Sequence, residues 1–229
     1  MNRRLFIIGD FSPERETHVL TNEAITHSLD ELGAKLDVSW VPTPDVSDEV
    51  LANADGIWIG TGSPYRALKG ALAAIKFARE KRVTCLGTCS GFQHIIVEYA
   101  THVLALKSVG HGEYDTDKDH LVISELACSL TGHEMYVTLT EGSRVHRLYG
   151  KPNIKERYYC SYGINPEYEE RLLTGPIQAT GRDANGEIRV IEFSNHPFML
   201  ATLFVPQALS TKEVPNPLVT GFINTILNS

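Results

Sequence analysis

The chain has 229 residues, 42% of them hydrophobic and 21% charged, with a net charge of −7 at pH 7. A chain of that size and balance can bury a full core, which excludes disorder, collagen, coiled coil and a disulfide scaffold as whole-chain readings. The negative charge disfavours nucleic acid or an anionic membrane as the main partner.

No apolar run approaches the ~18–20 residues that span a bilayer. The N-terminal apolar run is too short for a signal peptide, and four cysteines, Cys85, Cys89, Cys128 and Cys160, fit a reducing, cytoplasmic setting. In chain order, Leu5-Phe6-Ile7-Ile8 reads as a strand covered on both faces. Residues 22–36 carry Ala24, Ile25, Leu29, Leu32 and Leu36 on one helical face. Val38-Ser39-Trp40-Val41 is a strand stopped by Pro42 and Pro44, and Ser47 caps a short helix. Ile57-Trp58-Ile59 is the next strand, 67–82 a helix, Val83-Thr84-Cys85-Leu86 a buried strand and 90–105 a helix. This alternation predicts an α/β fold, a three-layer α/β/α sandwich with a mainly parallel central sheet. Gly-rich turns follow two strand ends, at Gly60-Thr61-Gly62 and Gly87-Thr88-Cys89-Ser90-Gly91, the edge of such sheets where ligands bind.

Beyond His120 the texture changes to short strands, at 121–123, 135–139, 158–164, 188–193 and 199–204. Asp183-Ala184-Asn185-Gly186 signals a hairpin and 217–227 a closing helix. With no repeat or linker, residues 1–229 read as one domain. The acidic run Asp115-Thr116-Asp117-Lys118-Asp119 reads as a solvated loop, and Cys85, inside a strand, is a poor metal ligand. No metal or cofactor is expected.

The chemistry sits in Leu86-Gly87-Thr88-Cys89-Ser90-Gly91-Phe92-Gln93. Gly-x-Cys-x-Gly between a buried strand and a helix is a nucleophile elbow, in which glycines permit the sharp turn that lifts the thiol above the sheet. The helix starting at Ser90 points its positive end at Cys89 and favours thiolate. The amides of Ser90 and of the Gly62 loop suit an oxyanion hole. The competing reading is an unreactive cysteine in a tight turn.

Cys89-Ser90-Gly91-Phe92-Gln93 resembles the elbow of class I glutamine amidotransferases, most closely the glutaminase domain of CTP synthases. Ser63-Pro64-Tyr65-Arg66, Phe77-Ala78-Arg79-Glu80, Val97-Glu98-Tyr99-Ala100, Glu113-Tyr114-Asp115, Asn195-His196-Pro197-Phe198 and 216–222 follow in that domain's order. The resemblance implies a flavodoxin-like fold, Cys89 as nucleophile, oxyanion amides at Ser90 and Gly62, and glutamine contacts at Gln93 and Glu113. It does not extend to the larger ATP-dependent synthetase domain, so the chain by itself is not expected to be a CTP synthase.

The departures are specific. The family's His-Pro-Glu reads Val205-Pro206-Gln207, and the arginine that grips the substrate carboxylate reads Ser161. The base, its orienting acid and the clamp are therefore expected to be missing. His94, His111 and His196 are the candidate substitute bases, and Cys160 is a candidate second thiol or redox partner of Cys89. Three functions stay open. One is a cysteine-dependent amidase or hydrolase acting on a small amide or amino-acid-like ligand. Another is a non-catalytic binding or regulatory protein, as a homo-oligomer or with a protein partner. The third is a thiol-redox protein using Cys89 and Cys160.

Overall fold

Short apolar strands with no polar face have to be covered on both sides, and here they are. The computed structural model describes residues 3–115 and 117–229. Met1, Asn2 and the Thr116 of the acidic run lie outside them. The strands are β1 (Arg4–Ile8), β2 (Asp37–Val41), β3 (Gly56–Ile59), β4 (Thr84–Thr88), β5 (Val109–His111), β6 (His120–Glu125), β7 (Glu134–Leu139), β8 (Asn153–Arg157), β9 (Tyr162–Ile164), β10 (Ile177–Arg182), β11 (Ile188–Phe193) and β12 (Met199–Thr202). The helices are α1 (Glu16–Leu32), α2 (Asp48–Leu51), α3 (Leu68–Lys81), α4 (Ser90–His102), α5 (Arg144–Tyr149), α6 (Glu169–Leu172) and α7 (Pro217–Leu227).

Nine strands form one sheet in the order β2-β1-β3-β4-β12-β11-β10-β7-β8. The first five are mutually parallel, and the last four extend the sheet through antiparallel pairings. A smaller sheet, β5-β6-β9, lies apart from it.

The period of two along β3 shows how both faces are covered. A Cβ on Gly56 would strike Ile226 of α7, and Trp58 packs edge-on against Phe222 of the same helix. The alternate residue Ile59 instead meets Gly91 at the start of α4. Helix α1 packs on α7, and α3 on α4, so the sheet sits between two helical layers. Arg79 of α3 grips the fully buried Glu98 of α4 through two hydrogen bonds, Nε to Oε2 at 3.0 Å and a terminal nitrogen to Oε1 at 2.7 Å. Two of the family-like motifs are thus a brace between helices rather than parts of the site.

Two expectations need correction. Helix α1 begins at Glu16 and ends at Gly33, whose φ of 58° closes it, instead of running from 22 to 36. Its early turns bury His18 and Thr21, polar side chains that leave no apolar periodicity to detect. Residues 158–161 are not strand. The strand lies earlier, at Asn153–Arg157, and 158–161 cross over to β9. The hairpin is present, with the Gly186 N–H bonded to the Asp183 carbonyl and Gly186 at φ 83°. Asn216 caps α7, its side chain accepting from the Leu218 and Val219 amides.

Candidate active site

Parallel strands end together at one edge of the sheet, and the turn after β4 lies there. Cys89 occupies it at φ 54°, ψ −111°, a conformation costly for a residue with a side chain, of the order of 1–3 kcal/mol. Its surroundings hold it there. The Cys89 N–H donates to the Thr202 carbonyl at the end of β12, 2.9 Å away. Gly91 lets α4 start against β3, since a Cβ there would lie 2.2 Å from the Ile59 carbonyl oxygen. Ser90 opens α4, so its N–H is one of the first-turn donors without an intrahelical acceptor.

The thiol borders a cavity of about 350 Å³. Gly62, Ser90, Gln93, Glu113, Cys160 and Ser161 line the same cavity, so sequence-predicted site residues from four separate segments converge there. Gly62 has φ 104°, and its loop is pinned from α1: His18 Nε2 donates to the Thr61 carbonyl at 3.0 Å, and Thr61 Oγ1 donates to Thr17 Oγ1 at 2.7 Å. Glu113 accepts from Ser63 Oγ at 3.0 Å. Ser161 Oγ pairs with Ser129 Oγ at 2.7 Å.

Gln93 is buried and its amide is engaged at both ends. Its Nε2 donates to the Tyr162 carbonyl at 2.8 Å, and its Oε1 accepts from His111 Nε2 at 3.1 Å. The Glu113 amide donates to His111 Nδ1, which fixes the proton on Nε2. His94 donates from Nδ1 to the Ser90 carbonyl, so its Nε2 accepts from the Tyr114 hydroxyl. Burial pushes the His94 imidazole down to about 4 and that of His111 to about 3, so both are neutral at pH 7. Neither ring has a nitrogen to spare.

His196 lies elsewhere. It donates to the Ala78 carbonyl and accepts from the Phe198 amide, in the turn that leads into β12, while Cys89 follows the opposite end of β4. Val205 and Gln207 are fully buried and are not among the lining residues. Gln207 still touches the elbow, donating from Nε2 to Thr21 Oγ1 at 3.0 Å and to Thr88 Oγ1 at 3.4 Å, and its Oε1 has no partner. Among the described residues no group of His, Cys, Asp and Glu could hold a metal ion, and no helix is long and apolar enough to cross a membrane.

The model of the glutamine amidotransferase class-I family matches residues 18–225. The chain belongs to the class I glutamine amidotransferases. It is 30% identical over 233 residues to the CTP synthase of Archaeoglobus fulgidus, and 31% over 236 residues to that of Methanopyrus kandleri. Each match takes in 96% of this chain but 44% of the relative, so the chain spans less than half the length of these CTP synthases. Among solved structures, the glutaminase domain of Trypanosoma brucei CTP synthase superposes with a TM-score of 0.90 at 20% identity, covering all of this chain and 95% of that one. A Thermotoga maritima glutamine amidotransferase gives 0.63 at 10% identity, covering all of this chain and 97% of that one.

Within this amidotransferase cavity, two features were not legible in the sequence. One is the N-terminal end of α1, which contributes Arg15, Glu16 and Thr17. Arg15 is the one cation lining the cavity among the described residues. Its only signal was the unusual density of polar residues at 14–18. The other is what holds Cys160, a residue the sequence already marked as a candidate second thiol. Its thiol donates to the Leu203 carbonyl at 3.6 Å, one peptide unit beyond the carbonyl that holds Cys89. The Cys89 thiol on the same cavity, together with burial, holds Cys160 well above the ordinary thiol range.

Proposed function

We propose that this protein is a divergent amidotransferase-type domain, related to the glutaminase domain of CTP synthases, that keeps the cysteine elbow and a ligand cavity but lacks the proton relay of an efficient glutaminase. The observation that carries the reading is the state of the buried imidazoles. His18, His94, His111 and His196 each have both ring nitrogens engaged. By position in the family, the base would stand at Val205 and its orienting acid at Gln207. A valine moves no proton, and a neutral amide does not stabilise an imidazolium.

A positioned general base contributes about 10²–10⁴-fold. A thiol can attack as thiolate without one, but departing ammonia still needs a proton. The carboxylate of a bound amino acid meets Ser161 where the family has an arginine. Arg15 instead offers one cation to the cavity, alongside the carboxylates of Glu16 and Glu113, which suits a small amide or amino-acid-like ligand held in a different orientation from glutamine.

The test is a coupled ammonia assay on the purified full chain with glutamine, alongside iodoacetamide labelling of Cys89. Labelled Cys89 with turnover far below ~1 s⁻¹ is expected. Turnover in the ordinary enzyme range overturns the reading.

A further inference from the structure

The neighbour of the Cys89 sulfur is a second sulfur. Cys89 and Cys160 come from segments 71 positions apart, yet both line one cavity and both are 7% exposed. Successive carbonyls at the end of β12 hold them, Thr202 for the Cys89 amide and Leu203 for the Cys160 thiol. The Cys89 thiol, with burial, holds the Cys160 thiol well above the ordinary range. The other cysteines are placed differently: Cys85 is buried within β4 and Cys128 is exposed. All four are free thiols.

We infer that Cys89 and Cys160 form a peroxide-responsive thiol pair, with Cys89 as the attacking and Cys160 as the resolving sulfur. In the first step the Cys89 thiolate attacks the distal oxygen of a hydroperoxide. An S–O bond forms and the O–O bond breaks. Cys89 becomes a sulfenic acid, and the peroxide, taking up one proton, leaves as water or an alcohol. In the second step the Cys160 thiol attacks the sulfenic sulfur, an S–S bond forms, and hydroxide leaves with the Cys160 proton as water. A low-molecular-weight thiol or dithiol restores both cysteines by exchange and is itself oxidised to a disulfide.

The assignment of roles follows from the surroundings. Cys89 stands on the strained turn that opens α4 and borders the cavity, placed to meet a small oxidant first. Cys160 is kept protonated first by the Cys89 thiol and then by burial, and Arg189 pulls in the opposite direction. Disulfide formation consumes the elbow nucleophile and closes the site reversibly.

This inference rests on Cys89 being the accessible nucleophile of the proposed function, and the experiment separates the two. The full chain carrying Cys128→Ser, which removes the exposed thiol, is reduced and exposed to hydrogen peroxide. It is then labelled with dimedone, a sulfenic-acid trap, or with maleimide, and mapped by peptide mass. Expected are the loss of two maleimide-reactive thiols per chain, a Cys89–Cys160 cross-linked peptide, and recovery of both thiols with dithiothreitol. Cys160→Ser should accumulate the dimedone adduct at Cys89 with no cross-link, and Cys89→Ser should leave Cys160 reduced. A wild-type dimedone adduct at Cys89 without the cross-link overturns the pair while leaving the nucleophile intact. Cys160 oxidised equally fast in Cys89→Ser overturns the assigned order. Cys89 inert to peroxide and to iodoacetamide alike overturns this inference and the proposed function together. The wild-type map decides the matter even where a variant folds poorly.

Discussion

Returning a histidine and a glutamate to positions 205 and 207 should leave a signature in stability as well as in activity. Gln207 is fully buried, and its Nε2 donates to Thr21 Oγ1 at 3.0 Å. Thr21 already spends its hydroxyl proton on the Thr17 carbonyl at 2.8 Å, so it can only accept from residue 207. Gln207→Glu alone therefore sets a carboxylate oxygen against an acceptor, with no cation to neutralise it. A buried charge left unpaired costs about 3–5 kcal/mol. Val205→His alone enlarges a fully buried side chain, for about 1–3 kcal/mol of overpacking. In the double variant the imidazolium and carboxylate lie two residues apart on one turn and offset each other, with a coupling of about 1–3 kcal/mol.

Activity should follow the same logic. The histidine should raise glutamine hydrolysis by about 10²-fold, at the low end for a general base. The double variant should gain further, while KM stays high because Ser161 cannot pair with the carboxylate of glutamine held in the productive orientation, a deficit of about 1.5–3 kcal/mol. Urea unfolding of the four proteins measures the coupling, and the ammonia assay measures turnover. Stabilities that add to within ~0.5 kcal/mol, with no gain in turnover, would refute the placement of Val205 and Gln207 at the base and acid positions.

Other consequences are checkable separately. Glu156 is buried beside Tyr149 and Asn216, and desolvation pushes its carboxyl up from 4.5 to about 8. Between those values the folded chain keeps a proton the unfolded chain has released, so this group makes stability fall with rising pH, by at most ~1.4 kcal/mol per pH unit. Glu156→Gln should flatten that slope in unfolding curves taken from pH 4.5 to 8. Gly91→Ala drives a Cβ to 2.2 Å from the Ile59 carbonyl oxygen and should cost about 1–3 kcal/mol or more, with slower alkylation of Cys89; an unchanged midpoint and rate would show that α4 is free to shift. Arg15→Ala should weaken the protection of Cys89 by glutamate or glutamine against iodoacetamide by about tenfold, the value of one charge-assisted contact, read from the concentration giving half protection.

The parts of the site legible in the sequence are those encoded within a few consecutive residues. Gly87 and Gly91 declare a strand-to-helix turn around Cys89 because a Cβ at either would strike its surroundings, 2.6 Å from Ile95 Cδ1 and 2.2 Å from the Ile59 carbonyl oxygen. The parallel half of the sheet was readable because strands covered on both faces are apolar throughout, as in Ile57-Trp58-Ile59, all fully buried. Ser47 and Asn216 mark their helix starts through the same local hydrogen bonds they make in the fold. The early turns of α1 were hidden because His18 and Thr21 bury polar atoms whose partners are distant in sequence.

By itself, then, the sequence marked the sharp turn at Cys89, between a buried strand and a helix. Tertiary structure alone decided what surrounds the sulfur: that His94 and His111 are locked to Tyr114 and Gln93, that Arg15 reaches the cavity from α1, and that Cys160 hangs from the Leu203 carbonyl on the same cavity. Turn geometry is a property of adjacent residues, whereas the freedom of a ring nitrogen or the neighbour of a thiol depends on partners brought from remote positions by sheet pairing and burial.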